Sequence, residues 1–291
     1  MRVGMYYNNH DIRVEDVPTP KIGPGEILMR VEASGVCGSD LMEWYRIPKA
    51  PIVLGHEVGG EVVEVGDGVK DFEVGDKITA THHVPCNTCH YCLTDRHTIC
   101  PNIKSTFFDP GGFSEYIRIP SINVDRGVFK LPGNVSTEEG SFTEPLGCVV
   151  RAQRMMGFDI GSSVLIIGSG ITGLLNLQYA KAQGVGTIIA TDINEYKLQT
   201  ALRFGADYAV NSKEDVARFI KEKNEGRLAD IVIVCTGSGS AIQSAMGLVE
   251  KGGKILFFAP SDPEFKLTIP FNDYWWSGVS ITSSYAASPS D

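Results

Sequence analysis

Four short, almost wholly apolar runs follow one another in the second half of the sequence: Val164-Leu165-Ile166-Ile167, Thr187-Ile188-Ile189-Ala190, Ile231-Val232-Ile233-Val234 and Lys254-Ile255-Leu256-Phe257-Phe258. Helix-like stretches separate them, including Leu174 to Gln183 and Val216 to Lys223. A strand that is apolar on both faces must be covered on both, so this alternation specifies a parallel sheet with helices on either side. The pattern begins near Ser136, where Ser136-Thr137-Glu138-Glu139 has capping-box spacing and predicts a helix start. Before it, short strands such as Ile27 to Val31, Glu61 to Val65 and Tyr116 to Ile119 are punctuated by Pro18-Thr19-Pro20 and Gly23-Pro24-Gly25. Many short strands with such turns predict a partly closed β-barrel or sandwich. At 291 residues the chain is long enough for two such domains.

The first apolar run leads directly into Gly168-Ser169-Gly170-Ile171-Thr172-Gly173, and a helix pattern follows. Gly-x-Gly-x-x-Gly is a weak signal in isolation, but here it joins a strand to a helix, and an acid, Asp192, ends the next strand. That is the arrangement of a dinucleotide fold. Gly168 allows the tight turn, Gly170 lets backbone approach a pyrophosphate, and Gly173 lets helix and strand pack closely. The helix start, with Ile171 and Thr172, offers free N–H groups to phosphate. Asp192 is placed to accept hydrogen bonds from the adenosine ribose, and its charge disfavours a 2′-phosphate, so NAD is expected over NADP. Lys197 either flanks the adenine-ribose end or is a solvated helix lysine. Thr236, after the run at 231–234, either lines the cofactor cleft or belongs to an ordinary turn.

Cysteine placement says more than cysteine number. Of seven, four form Cys86-x2-Cys89-x2-Cys92-x7-Cys100. Three further cysteines at such offsets arise by chance about once in 10^5 starts, so the spacing reads as a metal site. Four thiolates close a tetrahedral shell around zinc and leave no open position, which makes the site structural. An iron–sulfur cluster is the competing reading; the polar lobe with its Lys, Asn and His neighbours suits a small closed ion better. The odd cysteine count suits a cytoplasmic metal protein rather than a secreted disulfide scaffold. Met1 to Tyr6 is too short and polar for a signal peptide, and no apolar run is long enough to span a membrane. The net charge of −9 argues against nucleic-acid and membrane partners.

Two further segments, Cys37-Gly38-Ser39-Asp40 and Gly55-His56-Glu57, stand at strand ends. A lone Cys and a lone His are ordinarily structural. Their company changes the reading: residues 55–69 run Gly-His-Glu-x2-Gly-x5-Gly-x2-Val. This segment resembles the signature of the zinc-containing medium-chain alcohol dehydrogenases. The cysteine lobe and the glycine turn follow in that family's order, and Glu144-Pro145-Leu146 resembles its polyol and threonine dehydrogenase branch.

The resemblance implies an α/β architecture: a GroES-like β-barrel catalytic domain over residues 1–147 and a Rossmann doubly wound parallel-sheet domain over 148–291. It implies two zinc ions per chain and NAD, with a small-molecule alcohol or ketone as substrate and a homodimer or homotetramer as the assembly. Cys37 and His56 become catalytic zinc ligands, with Glu57 and Glu144 competing for the third protein position. Asp40 holds the His56 ring through its second nitrogen, and Ser39 hydrogen-bonds the substrate hydroxyl and carries its proton outward. An open zinc site acidifies a bound hydroxyl as it does water, whose pKa falls from 15.7 to about 7, and hydride then leaves for the nicotinamide.

Two departures from the family stand out. Relatives of the polyol type often carry His three residues after the serine, where this chain has Met42. The family chain also returns from the nucleotide domain to complete the catalytic domain, so the resemblance implies that a C-terminal segment beyond Asp291 is missing, and Ser288-Pro289-Ser290-Asp291 reads as the entry to another helix. The alternatives are a zinc-free quinone or enone reductase of the same superfamily, opposed by Cys37, His56 and the lobe, and a non-catalytic NAD- and zinc-binding protein.

Overall fold

A computed structural model describes residues 1–291. The chain divides into two compact units, one formed by Met1–Gly147 with Ala286–Asp291 and the other by Cys148–Tyr285.

The first unit contains β1 (Arg2–Asn8), β2 (Asp11–Asp16), β3 (Ile27–Gly35), β4 (Ile52–Val53), β5 (Glu57–Val65), β6 (Lys77–Ala80), β7 (Tyr116–Ile119) and β8 (Val128–Lys130). They form a three-stranded sheet ordered β2-β1-β4 and a five-stranded sheet ordered β7-β3-β5-β6-β8. The larger sheet is antiparallel throughout. The β3–β5 register slips at Leu28/Met29 and again at Val31/Ala33. Such irregularities increase local twist and curl the sheet around its apolar face. Alternation along β7 turns Ile117 and Ile119 into the core and Arg118 outward, where its Nη1 donates to Glu26 Oε1 at 2.7 Å. Ile27, Met29, Val58, Val62 and Ile78 complete that core, and each fully buried aliphatic side chain contributes about 2 kcal/mol. The capping box forms as its spacing predicts: Ser136 Oγ accepts from Glu139 N, and Glu139 Oε2 accepts from Ser136 N at 2.8 Å, opening the helix Thr137–Ser141.

The second unit contains β9 (Val164–Ile167), β10 (Ile188–Asp192), β11 (Tyr208–Asn211), β12 (Ala229–Val234), β13 (Val249–Phe257) and β14 (Ser280–Ser283). Their order is β11-β10-β9-β12-β13-β14, with every pairing parallel. Counted from β9 this is the 3-2-1-4-5-6 order of a doubly wound dinucleotide fold. The apolar runs are strands because both faces are covered. Leu165, Ile167, Val232 and Val234 join one core cluster, while Val164, Ile166, Ile231 and Ile233 join another. Alternate residues of one strand thus serve opposite layers.

The last six residues lie in the first unit, whereas the sequence assigns them to the nucleotide domain. After β14 the chain leaves the sheet. A Cβ at Gly147 would sit 3.2 Å from that of Ala287. Ser288 is buried, and Asp291 Oδ2 accepts from Ser288 N at 2.9 Å.

Candidate metal and nucleotide sites

Cys37 follows β3 and caps the short turn Gly38–Leu41, its Sγ accepting from Ser39 N at 3.5 Å. His56 precedes β5. It is placed there by Gly55, whose φ of +91° and whose approach to Phe113, 2.7 Å from an added Cβ to the backbone nitrogen, admit no side chain. Donor atoms of Cys37, His56 and Glu57 lie within 4.8 Å of one another, and so do those of His56, His82 and Glu144. Asp40 is buried at 3% exposure. Its Oδ2 accepts from Cys37 N at 3.1 Å, while its Oδ1 lies 3.7 Å from His56 Nδ1. Arg46 closes the arrangement, donating to Asp40 Oδ1 at 3.0 Å and to both Oγ and the carbonyl oxygen of Ser39 at 2.9 Å. Glu144 also lines a cavity of about 200 Å³, together with Ala80, Thr81 and Phe129 among others.

Burial governs the protonation of the cluster. It pushes the Cys37 thiol up to about 11 and the His56 imidazole down to about 4, with Arg46 adding to the latter. Glu57 rises to about 7, through burial and then the charge of Asp40. His82, fully enclosed, falls well below the ordinary histidine range for the same reason. Neutral imidazoles keep a lone pair for coordination, and a buried thiol gives up its proton most readily when a cation binds its sulfur. Sulfur, nitrogen and carboxylate oxygen so close together fit a divalent zinc-like ion with a position left for another ligand.

The four lobe cysteines also converge. Their sulfurs are separated by 3.6 Å (Cys89–Cys92), 3.7 Å (Cys89–Cys100), 3.6 Å (Cys86–Cys100) and 4.0 Å (Cys86–Cys92). A tetrahedron with Zn–S bonds of about 2.3 Å has edges of about 3.8 Å, whereas a disulfide would require about 2.05 Å. The sulfurs therefore match a single closed ion, and a multi-iron cluster would hold them farther apart.

In the second unit, Gly168 (φ +94°) follows β9 and Gly170 caps the helix Ile171–Ala182, with Thr172 in its first turn. A Cβ at Gly173 would run into the carbonyl oxygen of Gly168, while one at Gly170 would meet nothing. Asp192 ends β10 and ties the turn down, Oδ2 accepting from Ser169 N at 2.9 Å and Oδ1 from Asn194 N at 3.0 Å. Lys197 Nζ lies 4.0 Å from Asp192. Thr236 packs against the turn, 3.2 Å from a Cβ built on Gly168.

Sequence reasoning passes over two residues of the first cluster, His82 and Arg46. The doubled His82-His83 just ahead of the first lobe cysteine is the signal that points to the former. Arg46 carries no local signal, because its role comes from the fold of the loop that it follows.

Residues 23–133 match the family described as alcohol dehydrogenase GroES-like domain, and residues 172–291 match the zinc-binding dehydrogenase family. Sorbitol dehydrogenase of Bacillus subtilis is 34% identical, over 93% of this chain and 78% of that protein. L-threonine 3-dehydrogenase of Pyrococcus furiosus is 35% identical, over 89% of this chain and 74% of that protein. Among solved structures, a Sinorhizobium meliloti zinc-binding dehydrogenase bound to NADP has a TM-score of 0.87 at 28% identity, covering 98% of this chain and 84% of that one. The chain belongs to the zinc-containing medium-chain alcohol dehydrogenase family, and is an alcohol dehydrogenase with a GroES-like and a Rossmann domain.

Proposed function

We propose that the protein transfers hydride between a secondary alcohol (a polyol, sugar alcohol or threonine-like compound) and NAD, using one catalytic and one structural zinc. The observation that carries the reading is the convergence of the Cys37, His56 and Glu57 donors in one half-buried cluster, with Glu144 grouped around the same His56. Zinc held there would supply the Lewis acidity that makes a substrate hydroxyl acidic near neutral pH, and bound nicotinamide would accept the hydride. The third protein ligand is Glu57 or Glu144.

The chain's own residues supply the rest. Asp40 Oδ1 stands 3.7 Å from His56 Nδ1, on the side from which it would steady the ring. Arg46 occupies one lone pair of Ser39 Oγ, so the hydroxyl retains a second lone pair to take the substrate's proton and its own hydrogen to pass on. Met42 offers no proton acceptor three residues after Ser39, so that proton would leave Ser39 for water or a ribose hydroxyl. In the nucleotide domain, Gly170, Ile171 and Thr172 would present N–H groups to the pyrophosphate. Asp192 would accept from the ribose hydroxyls and disfavour NADP, the cofactor held by the Sinorhizobium meliloti protein. Lys197 and Thr236 flank that site. Seven free cysteines fit a reducing, cytoplasmic setting. The exposed Trp275–Trp276 pair supports a homo-oligomer, checked by sedimentation of the wild type against Trp276→Lys.

The test is zinc per chain and NADH formation on a panel of polyols and L-threonine, for wild type and His56→Ala. Zinc falling from two per chain to one, with turnover lost, is the expected result. Two zincs retained in His56→Ala would sink the reading. Enone reduction untouched by the substitution would favour the zinc-free reductase, and no turnover by wild type on any substrate would favour the non-catalytic protein.

A further inference from the structure

The catalytic cluster holds more donors than one open zinc site uses. His82 follows β6, is only 7% exposed, and its Nδ1 has no hydrogen-bond partner. An orphaned polar atom inside a protein costs about 1–3 kcal/mol, so its persistence in so closed a place calls for a reason. Its ring centroid stands 4.6 Å from that of His56, and its donor atom lies within 4.8 Å of those of His56 and Glu144. Two imidazoles and a carboxylate at such separations form a three-donor set by themselves. That set shares only His56 with the set of Cys37, His56 and Glu57.

Building on the zinc-site reading above, we infer that His82 is a metal ligand, and that His56, His82 and Glu144 form a second, sulfur-free seat for the same ion, pivoting on His56. The two seats differ in chemistry. The first contains a soft thiolate, which favours zinc, whereas two imidazoles and one carboxylate accept harder divalent ions as well and leave positions open for an oxygen ligand. An ion held in the second seat is released from Cys37 and Glu57. The third-ligand question then has two answers, Glu57 with the thiolate and Glu144 with His82.

Cobalt(II) distinguishes the seats, because thiolate ligation gives a charge-transfer band that nitrogen and oxygen ligation does not. The probe is cobalt(II) titrated into the full chain with zinc held in the cysteine lobe, whose retained zinc also reports folding. Wild type is expected to bind one cobalt with the charge-transfer band. Cys37→Ser, and Cys37→Ala should serine itself coordinate, is expected to bind one cobalt with visible d–d bands alone. Adding His82→Gln should weaken cobalt binding at least tenfold, and adding His82→Asp instead, which keeps a donor, should recover it. Cobalt bound equally well with and without His82 in the Cys37→Ser background overturns the inference. So does a Cys37→Ser protein that binds no cobalt while wild type binds one, an outcome that leaves the proposed function standing. A wild type that takes no cobalt overturns both.

Discussion

Arg46 and His56 meet at one oxygen. Asp40 Oδ1 lies 3.0 Å from Arg46 Nη2 and 3.7 Å from His56 Nδ1, so one buried carboxylate couples the guanidinium to the histidine at the heart of the cluster. Since Arg46 also grips Ser39 through its hydroxyl and its carbonyl, it holds both Asp40 and Ser39 in place beside the cluster.

Replacing Arg46 by Met leaves Asp40 buried without its cation, and breaking a buried pair from one side costs about 3 kcal/mol. Arg46→Lys restores a charge but cannot serve three acceptors in fork geometry, so it recovers only part of the loss. Urea denaturation of the two variants checks this. Equal stability of Arg46→Met and wild type would remove Arg46 from the supporting structure.

The glycine turn separates a folding role from a binding role. Gly173→Ala drives a methyl into the Gly168 carbonyl and is expected to lower stability by about 2 kcal/mol. Gly170→Ala adds a methyl where nothing in the protein stands. Its melting temperature should stay at the wild-type value while its NADH affinity falls at least tenfold, because the methyl occupies the approach of the pyrophosphate. Calorimetric melting and NADH fluorescence titration read the two effects. Unchanged affinity in Gly170→Ala would place the cofactor elsewhere.

On the proposed cofactor reading, Asp192→Ala would remove both the ribose acceptor and the charge that opposes a 2′-phosphate. The ratio of kcat/KM for NAD to that for NADP is expected to fall at least tenfold. Lys197, 4.0 Å away and released from its partner, would then face the phosphate. A ratio left unmoved would show that the carboxylate only ties down the turn through Ser169 and Asn194.

Cys235 predicts an alkaline weakness of the nucleotide domain. Burial pushes its thiol from 9.0 to about 12, against the lowering influence of its Asn176 and Thr172 hydrogen bonds. A group whose pKa rises on folding holds more proton folded than unfolded, so its stabilisation is complete below pH 9 and is lost as the pH climbs through 12. Urea midpoints measured from pH 7 to 10.5 should therefore fall more steeply for wild type than for Cys235→Ala. Parallel curves would show that the thiol does not titrate differently on unfolding.

Much of this architecture is legible in the sequence. The runs at 164–167 and 231–234 are strands whose alternate residues feed two cores, as an uninterrupted apolar pattern requires. The capping box at Ser136 forms with the partners that its spacing names, and the four lobe cysteines converge as theirs implies. These signals are local: strand period, turn chemistry and ligand spacing act over a few residues, and the physics that reads them is the physics that folds them.

The sequence by itself determined the alternating architecture, the glycine turn with Asp192, the cysteine lobe and the candidacy of Cys37 and His56. Only the tertiary structure decided that His82 faces His56 and Glu144, that Arg46 grips Ser39 and Asp40, and that Ser288 and Asp291 lie in the first unit. His82, His56 and Glu144 come from segments distant in the chain, and Arg46, though only six and seven residues from its partners, is turned onto them by the loop between, which no periodicity or spacing announces. Their meeting is an outcome of tertiary packing, which leaves no local trace in the sequence.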